Sequence, residues 1–258
     1  MRILKGVALG ILGLIWFSGM DCGARPQDIN LRYMVKDMGG SVDLMWDSAE
    51  GVIDFLLYKD DSLLDTLPPE SLHYIFDSTM IGKRFRVVAE GARLEGSIDL
   101  TPYVDSFTIY EPDYSDTTPS GVSFDASGHY TLYNLHADTS SWWWGVQIII
   151  MDTLPGAVDF SSLRLLSPSI FAMPFVTAFA VNTQDYAPTP DKDDTLFAYS
   201  YSPFVTAPEY AAWLRAGSYE WNRSCNFVRL TAVNADPAGW ISIKYAYQAA
   251  GGLRWFPY

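Results

Sequence analysis

Hydrophobic and polar residues alternate in short runs along residues 28–103, and turn-forming residues separate the runs. Every second side chain is apolar in residues 41–46 and again in residues 84–89. An apolar residue at every second position predicts a β-strand with one buried face. The other runs predicted as strands are residues 54–61, 74–76 and 94–100. Strands at this spacing predict a β-sandwich of roughly 100 residues.

Residues 104–258 contain a second series of candidate strands. The clearest is a hairpin, because residues 227–233 and 240–248 alternate and turn-forming Asn, Asp, Pro and Gly residues lie between them. Residues 209–217 are predicted as one short α-helix, since Ala and Leu favour helices and a Gly follows. The remaining candidate strands are residues 106–110, 129–135, 143–151, 163–166, 175–181 and 196–201. The predicted fold class is all-β, with a β-sandwich followed by a larger β-sandwich-like domain that has this one short helix.

The strands of residues 28–103 resemble a fibronectin type III domain. That family has a Trp at the end of its second strand, then an aromatic-x-aliphatic-Tyr segment, and later a Gly-x-x-Tyr-x-Val-x-Ala strand. Trp46, residues 55–58 and residues 82–89 occupy these places. Phe85 replaces the late Tyr, so we expect one hydrogen bond to be lost, at a cost of about 1 kcal/mol. The resemblance implies a spacer or binding module and names no activity.

The end of the chain, residues 216–252, is similar to the end of small exported β-proteins of Bacteroidetes type, including HmuY-like haem-binding lipoproteins. The shared features are a strand, a turn and a final strand that ends in Tyr-x-Tyr-Gln, here residues 245–248. This resemblance implies that the domain formed by residues 104–258 carries haem or another hydrophobic ligand.

Charge and the first residues indicate where the protein acts. The 17 basic and 30 acidic residues give a formal net charge of −13, which repels phosphate backbones and argues against a nucleic-acid partner. Arg2 and Lys5 precede an apolar run of residues 6–17, so residues 1–24 are predicted to be an export signal. That run is too short to span a membrane, and we expect no spanning segment in the mature chain. The prediction is a protein of the cell envelope or extracellular space, with a protein or carbohydrate partner.

Two cysteines refine this prediction. Cys22 follows the apolar run, where a bacterial lipoprotein carries its acylated cysteine, so a lipid anchor is one alternative. Asp21 departs from the small residues that such a signal has, and cleavage after Ala24 is the other alternative. In both cases one ordinary thiol remains, that of Cys225, which excludes a disulfide scaffold.

Aromatic and histidine side chains are candidate ligand-binding residues. On a strand, Trp142 and Trp144 share one face and Trp143 lies on the other, so an exposed pair would offer a stacking platform for a sugar or haem. Core packing is the alternative reading of the same residues. His129 and His136 are candidate ligand-binding residues for haem, but an odd spacing of seven on one strand places them on opposite faces.

An acidic loop is a candidate calcium site, because calcium prefers six to eight oxygen ligands. Its carboxylates are those of Asp185, Asp191, Asp193 and Asp194, and a solvated loop is the alternative. The chain has no Gly-x-Ser-x-Gly, no phosphate-binding P-loop motif and no His-Glu-x-x-His. These features predict a non-catalytic exported binding or structural protein without an obligatory cofactor. The alternatives are a carrier of haem or a similar ligand, and a carbohydrate-binding or carbohydrate-active protein with paired carboxylates.

Overall fold

The computed structural model describes residues 27–135, 145–154, 158–167, 175–181, 185–188, 209–216, 225–236 and 239–257. Within these residues nearly all regular structure is β-strand, arranged in four sheets. The described helical structure is one 3-10 turn at Asp37–Gly39. The predicted all-β class is confirmed.

Eight strands form two sheets that we call the N-terminal sandwich. A five-stranded sheet has the order β1-β8-β7-β4-β5, and a three-stranded sheet has the order β2-β3-β6. All pairs are antiparallel except the short β1–β8 pair. The strands are β1 (Gln27–Asp28), β2 (Arg32–Lys36), β3 (Ser41–Met45), β4 (Phe55–Lys59), β5 (Ser62–Leu67), β6 (His73–Phe76), β7 (Arg84–Ala89) and β8 (Leu94–Asp99).

The alternating residues of β3 and β7 build the core between these two sheets. Val42 and Leu44 are buried, as is Trp46 just after the strand, so the predicted inner face is confirmed. On β7, Phe85 is buried with its ring 4.2 Å from that of Phe76. Side chains that interdigitate from the two inner faces form the core of such a sandwich, and this ring pair is part of it.

Nine strands form a second pair of sheets, the C-terminal sandwich. A four-stranded sheet has the order β11-β10-β12-β13, and a five-stranded sheet has the order β14-β15-β16-β17-β9. The predicted hairpin is confirmed as the antiparallel pair β16–β17. The strands are β9 (Tyr103–Tyr110), β10 (Gly121–Phe124), β11 (Tyr130–Tyr133), β12 (Ile148–Leu154), β13 (Val158–Leu166), β14 (Phe175–Val181), β15 (Glu209–Ala216), β16 (Asn226–Asp236) and β17 (Trp240–Gln248).

The predicted short helix at residues 209–217 is wrong, because residues 209–216 form strand β15. This strand lies inside the five-stranded sheet, between β14 and β16. One face, with Tyr210 and Ala212, belongs to the core between the sheets, and the other, with Ala211 and Trp213, belongs to a second buried layer. A strand buried on both faces is apolar without alternation, so its pattern resembles that of a buried helix. Pairing within the sheet outweighs the helix propensity of Ala and Leu.

The end of the chain returns to the N-terminal sandwich. Ala250, Leu253 and Trp255 belong to the buried cluster between its two sheets, and the Trp255 ring lies 6.4 Å from that of Phe85. Buried Gln248 fixes the start of this segment, since its side-chain amide donates to the carbonyl of Leu100 at 3.2 Å. The division of the chain into two domains between residues 103 and 104 stays a prediction. The last residues belong by sequence to the second predicted domain but pack in the core of the first.

Candidate functional site

A groove of about 630 Å³ opens along strand β9 at the edge of the five-stranded sheet. This volume is within the usual range for ligand sites, about 300–1,000 Å³. The described lining residues are Val104, Asp105, Ser106, Phe107, Thr108, Tyr130, Val233, Ser242, Ile243 and Lys244. We call this the β9 groove.

Strand β9 provides half of this lining because, among the described strands, it pairs with one on one side only. It is antiparallel to β17, with Phe107 opposite Ile243 and Ser106 opposite Lys244. Phe107 points into the core between the two sheets, while Val104 is 46% exposed. Alternation along the strand therefore places the ring of Phe107 in the core and leaves the side chains of the residues next to it at the surface.

Two polar groups lie opposite each other on the outer face of the β9–β17 pair. The hydroxyls of Thr108 and Ser242 are 2.7 Å apart and share a hydrogen bond. Lys244 is exposed two residues further along β17. The outer part of the groove thus contains hydroxyl groups and one ammonium group, and Asp105 is the carboxylate in the described lining.

A tight turn between β10 and β11 positions the aromatic residues beside the groove. The side chain of Asp125 accepts hydrogen bonds from the main-chain N–H groups of Ser127 and His129, at 2.8 and 3.1 Å. Gly128 adopts a φ of +92°, and a Cβ there would lie 2.7 Å from the ring of Tyr247. Only glycine combines this left-handed backbone with such close approach to an aromatic ring.

His129, a predicted ligand-binding residue, lies directly before β11 with its side chain 61% exposed. Its ring packs on that of Tyr103, with 4.6 Å between the ring centroids. The Tyr103 hydroxyl donates to the Asp105 carboxylate at 3.3 Å. Desolvation, followed by the negative charge of Asp105, raises the pKa of the Tyr103 phenol. The result is a pair of rings in contact, tilted by 46° to each other, next to a carboxylate.

Two buried tyrosines on β17 support this arrangement from the core. The Tyr245 hydroxyl donates to the carbonyl of Gly128 at 2.9 Å, which ties the turn to the five-stranded sheet. Burial raises the pKa of the Tyr245 and Tyr247 phenols well above the ordinary value of 10.0. Asp105 adds to this rise for Tyr245, and Asp125 for Tyr247. Both phenols remain neutral at physiological pH and act as structural groups.

Asp185, a predicted calcium ligand, lies elsewhere, beside the outer face of the five-stranded sheet. Its carboxylate is 3.5 Å from the guanidinium of Arg229, which also donates to Glu209 at 2.5 Å. Arg229 is nearly buried, whereas the Asp185 side chain is 63% exposed. Within the described residues Asp185 therefore takes part in an ion-pair network. In the part of the chain that the structure describes, no three His, Cys, Asp or Glu residues form a group that could hold a metal ion.

The other predicted site residues lie outside the described residues. They are Cys22, His136, Trp142, Trp144, Asp191, Asp193 and Asp194. The structure thus brings one predicted residue, His129, to the edge of the β9 groove.

Sequence reasoning missed most of the groove, including Asp105, Tyr130 and Lys244. The sequence did contain a sign that β9 is partly exposed, because residues 103–106 combine polar side chains with a β-branched one just before an apolar core segment. Which edge of a sheet stays unpaired depends on strand order, and strand order is not encoded in any single segment.

Comparison of the chain with protein-family models, curated proteins and solved structures found no match. The described residues contain no helix that is both long and apolar enough to cross a membrane.

Proposed function

We propose that this chain is an exported, non-catalytic binding protein of the cell envelope or extracellular space, with the β9 groove as its binding surface. The observation that carries the proposal is the groove itself, at an exposed sheet edge beside the contacting rings of Tyr103 and His129. Concave sites with aromatic walls and a few polar groups are typical of ligand binding. The export signal predicted in residues 1–24 supports the location.

The chemistry of the groove favours binding over hydrolysis. Asp105 and Lys244 are the described acidic and basic residues of the lining. Glycoside hydrolysis uses two carboxylates about 5–9.5 Å apart, and the described lining has one. The hydroxyl pair of Thr108 and Ser242 and the ring of Tyr130 are suited to hydrogen bonding and stacking.

In this proposal the N-terminal sandwich is a fibronectin type III-like unit that presents the binding domain. Its three-stranded sheet β2-β3-β6 faces β8-β7-β4-β5, an antiparallel sandwich of the kind that fibronectin type III domains share with immunoglobulin domains. The return of Trp255 into its core ties the two sandwiches together, which suits a rigid support.

A substitution that fills the groove with a large side chain tests the proposal. Ser106→Trp places a large ring in the groove, and Ser97→Trp places the same ring at an exposed position of β8 as a matched control. Both variants and the unaltered chain are tested on a glycan array and on displayed random peptides. We expect binding that Ser106→Trp abolishes and Ser97→Trp retains. A hydrolase activity that maps to a pair of carboxylates would overturn the proposal.

A second candidate function is transport of haem or a similar hydrophobic ligand. It is favoured by the exposed imidazole of His129, whose Nδ1 lies 3.9 Å from the Asp125 carboxylate, since metal-ligating histidines commonly place their other ring nitrogen beside a carboxylate. Haem titration followed by absorbance tests it. A Soret band that is lost in His129→Ala would support this candidate, and an unchanged spectrum would remove it.

A further inference from the structure

The main chain of β9 directs hydrogen-bonding groups into the groove, away from β17. In an antiparallel pair, successive residues point their N–H and C=O groups alternately toward and away from the partner strand. The N–H of Tyr110 donates to the carbonyl of Pro119 at 2.8 Å, away from β17. The same parity directs the main-chain groups of Val104, Ser106 and Thr108 away from β17. Val104 is 46% exposed, and Asp105 and Ser106 are also at the surface, so this edge is open.

One of these main-chain groups, the N–H of Ser106, already has a side-chain partner. The Asp105 carboxylate accepts a hydrogen bond from the Ser106 N–H at 2.8 Å. Charged side chains at sheet edges prevent uncontrolled strand pairing. For Val104 and Thr108, no main-chain hydrogen bond in the outward direction is made to another described residue. The edge of β9 thus has a side-chain partner at Ser106, whereas the outward main-chain groups of Val104 and Thr108 make no main-chain bond to another described residue.

We propose that the β9 groove binds an extended polypeptide segment of a partner protein, which adds to the five-stranded sheet as a further antiparallel strand. The segment pairs with the outward main-chain groups of Val104, Ser106 and Thr108. A basic side chain of the segment faces Asp105, draws its carboxylate off the Ser106 N–H and forms an ion pair with it. This inference rests on the proposed function of the groove and specifies the class of its ligand.

Charge favours a foreign basic segment over a second copy of this chain. The net charge of −13 makes two copies repel each other. Antiparallel self-pairing centred on Ser106 would also make the two Asp105 residues diagonal neighbours, about 7–8 Å apart, at which distance like charges repel each other. A segment with Lys or Arg at this position removes both penalties.

Proline substitution separates main-chain pairing from side-chain contact. Thr108→Pro removes an outward N–H and leaves the bonds to β17 in place, since proline is tolerated on edge strands where its N–H faces solvent. Thr108→Val is the matched control, because it also loses the hydrogen bond to Ser242 but keeps the N–H. Val104→Pro with Val104→Thr provides a second pair at the other end of the groove. Circular dichroism identifies variants that remain folded.

The probe is a phage-displayed library of random peptides of roughly nine residues, long enough to cover the stretch from Val104 to Thr108. We expect enriched peptides with a central Lys or Arg, bound by the unaltered chain and by both controls, with an affinity loss of about tenfold or more in each proline variant. Asp105→Lys should abolish the preference for basic peptides. On the unaltered chain, peptide addition should slow hydrogen exchange at the amides of Val104 and Thr108 but leave that of Phe107 unchanged.

Peptide binding that is equal in the proline variants and their controls would overturn the inference. Glycan or haem binding that Ser106→Trp abolishes, without any peptide enrichment, would overturn it and leave the proposed function intact. Dimerisation that Thr108→Pro abolishes, measured by sedimentation, would identify a second copy as the occupant and likewise overturn it.

Discussion

The indole N–H of Trp255 donates to the main-chain carbonyl of Gly40, 3.3 Å away, across 215 positions of the chain. The same indole is fully buried among the aromatic residues of the N-terminal sandwich. The last residues of the chain therefore complete the core of the first strands.

Truncation of this indole should destabilise the N-terminal sandwich. We expect Trp255→Ala to lower the free energy of unfolding by about 3–5 kcal/mol, because it leaves a large cavity and removes the contact with Phe85. Urea unfolding measures this loss. Ile53→Ala, at a side chain 62% exposed in the same sandwich, is the control and should change stability by less than about 1 kcal/mol. Equal effects of the two substitutions would contradict the tertiary role of Trp255.

Gly39 should tolerate no side chain. It has a φ of +87°, and a Cβ there would lie 2.1 Å from the carbonyl oxygen of Gly252 and 2.7 Å from Cγ of Arg254. Gly51 shares the backbone conformation, with a φ of +79°, but a Cβ there meets nothing within 4 Å. Gly51→Ala should therefore cost only the left-handed strain, about 1–2 kcal/mol.

We expect Gly39→Ala to cost clearly more than Gly51→Ala, because the end of the chain must move aside as well. Thermal unfolding of the two variants compares them directly. If both melt at the same temperature, the close packing of Gly39 against the C-terminal segment is not important for stability.

The two carboxylates paired with Arg229 should contribute unequally to stability. Glu209→Ala removes the acceptor at 2.5 Å from a nearly buried guanidinium, at a cost of about 3 kcal/mol. Asp185→Ala removes an exposed carboxylate at 3.5 Å and should cost less than about 1 kcal/mol. Urea unfolding of both variants, with Glu209→Gln as the isosteric control, measures the difference. A larger loss in Asp185→Ala would point to another role for that carboxylate.

Stability should fall in alkaline solution because of the two buried phenols. Folding raises the pKa of Tyr245 and Tyr247 above 10.0, so the folded state holds these protons more tightly than the unfolded state. Their contribution is fully present below the unfolded pKa and is lost as the pH rises above it. We expect Tyr247→Phe to lose less stability than the unaltered chain between pH about 8 and about 11. Urea unfolding at the two pH values tests this, and identical losses would contradict it.

Local patterns predicted much of the fold correctly. Strand β17 was predicted from Ile241, Ile243 and the two tyrosines that follow, and the structure buries all four on one face. Strand β14 also begins and ends as predicted, at residues 175 and 181. Each of these segments carries its own alternation or a run of β-branched and aromatic residues, which a single segment can display.

The candidate site was far less predictable. Of the predicted site residues that the structure describes, the candidate ligand-binding residue His129 borders the β9 groove and the candidate calcium ligand Asp185 pairs with Arg229 instead. Asp105 and Lys244 come together only because β9 pairs with β17, more than 130 residues later. Acidic residues are too common in this chain for sequence spacing to identify the one that lies at a sheet edge.

The sequence by itself determined the all-β class, the alternating faces of strands such as β3 and the final hairpin, because one buried face leaves a period of two in the chain. Tertiary structure alone decided that residues 209–216 form a strand, that Trp255 belongs to the first core and that β9 lies at an edge. Burial on both faces removes the alternation, and contacts between distant segments depend on strand order. Neither leaves a trace in the local pattern of residues.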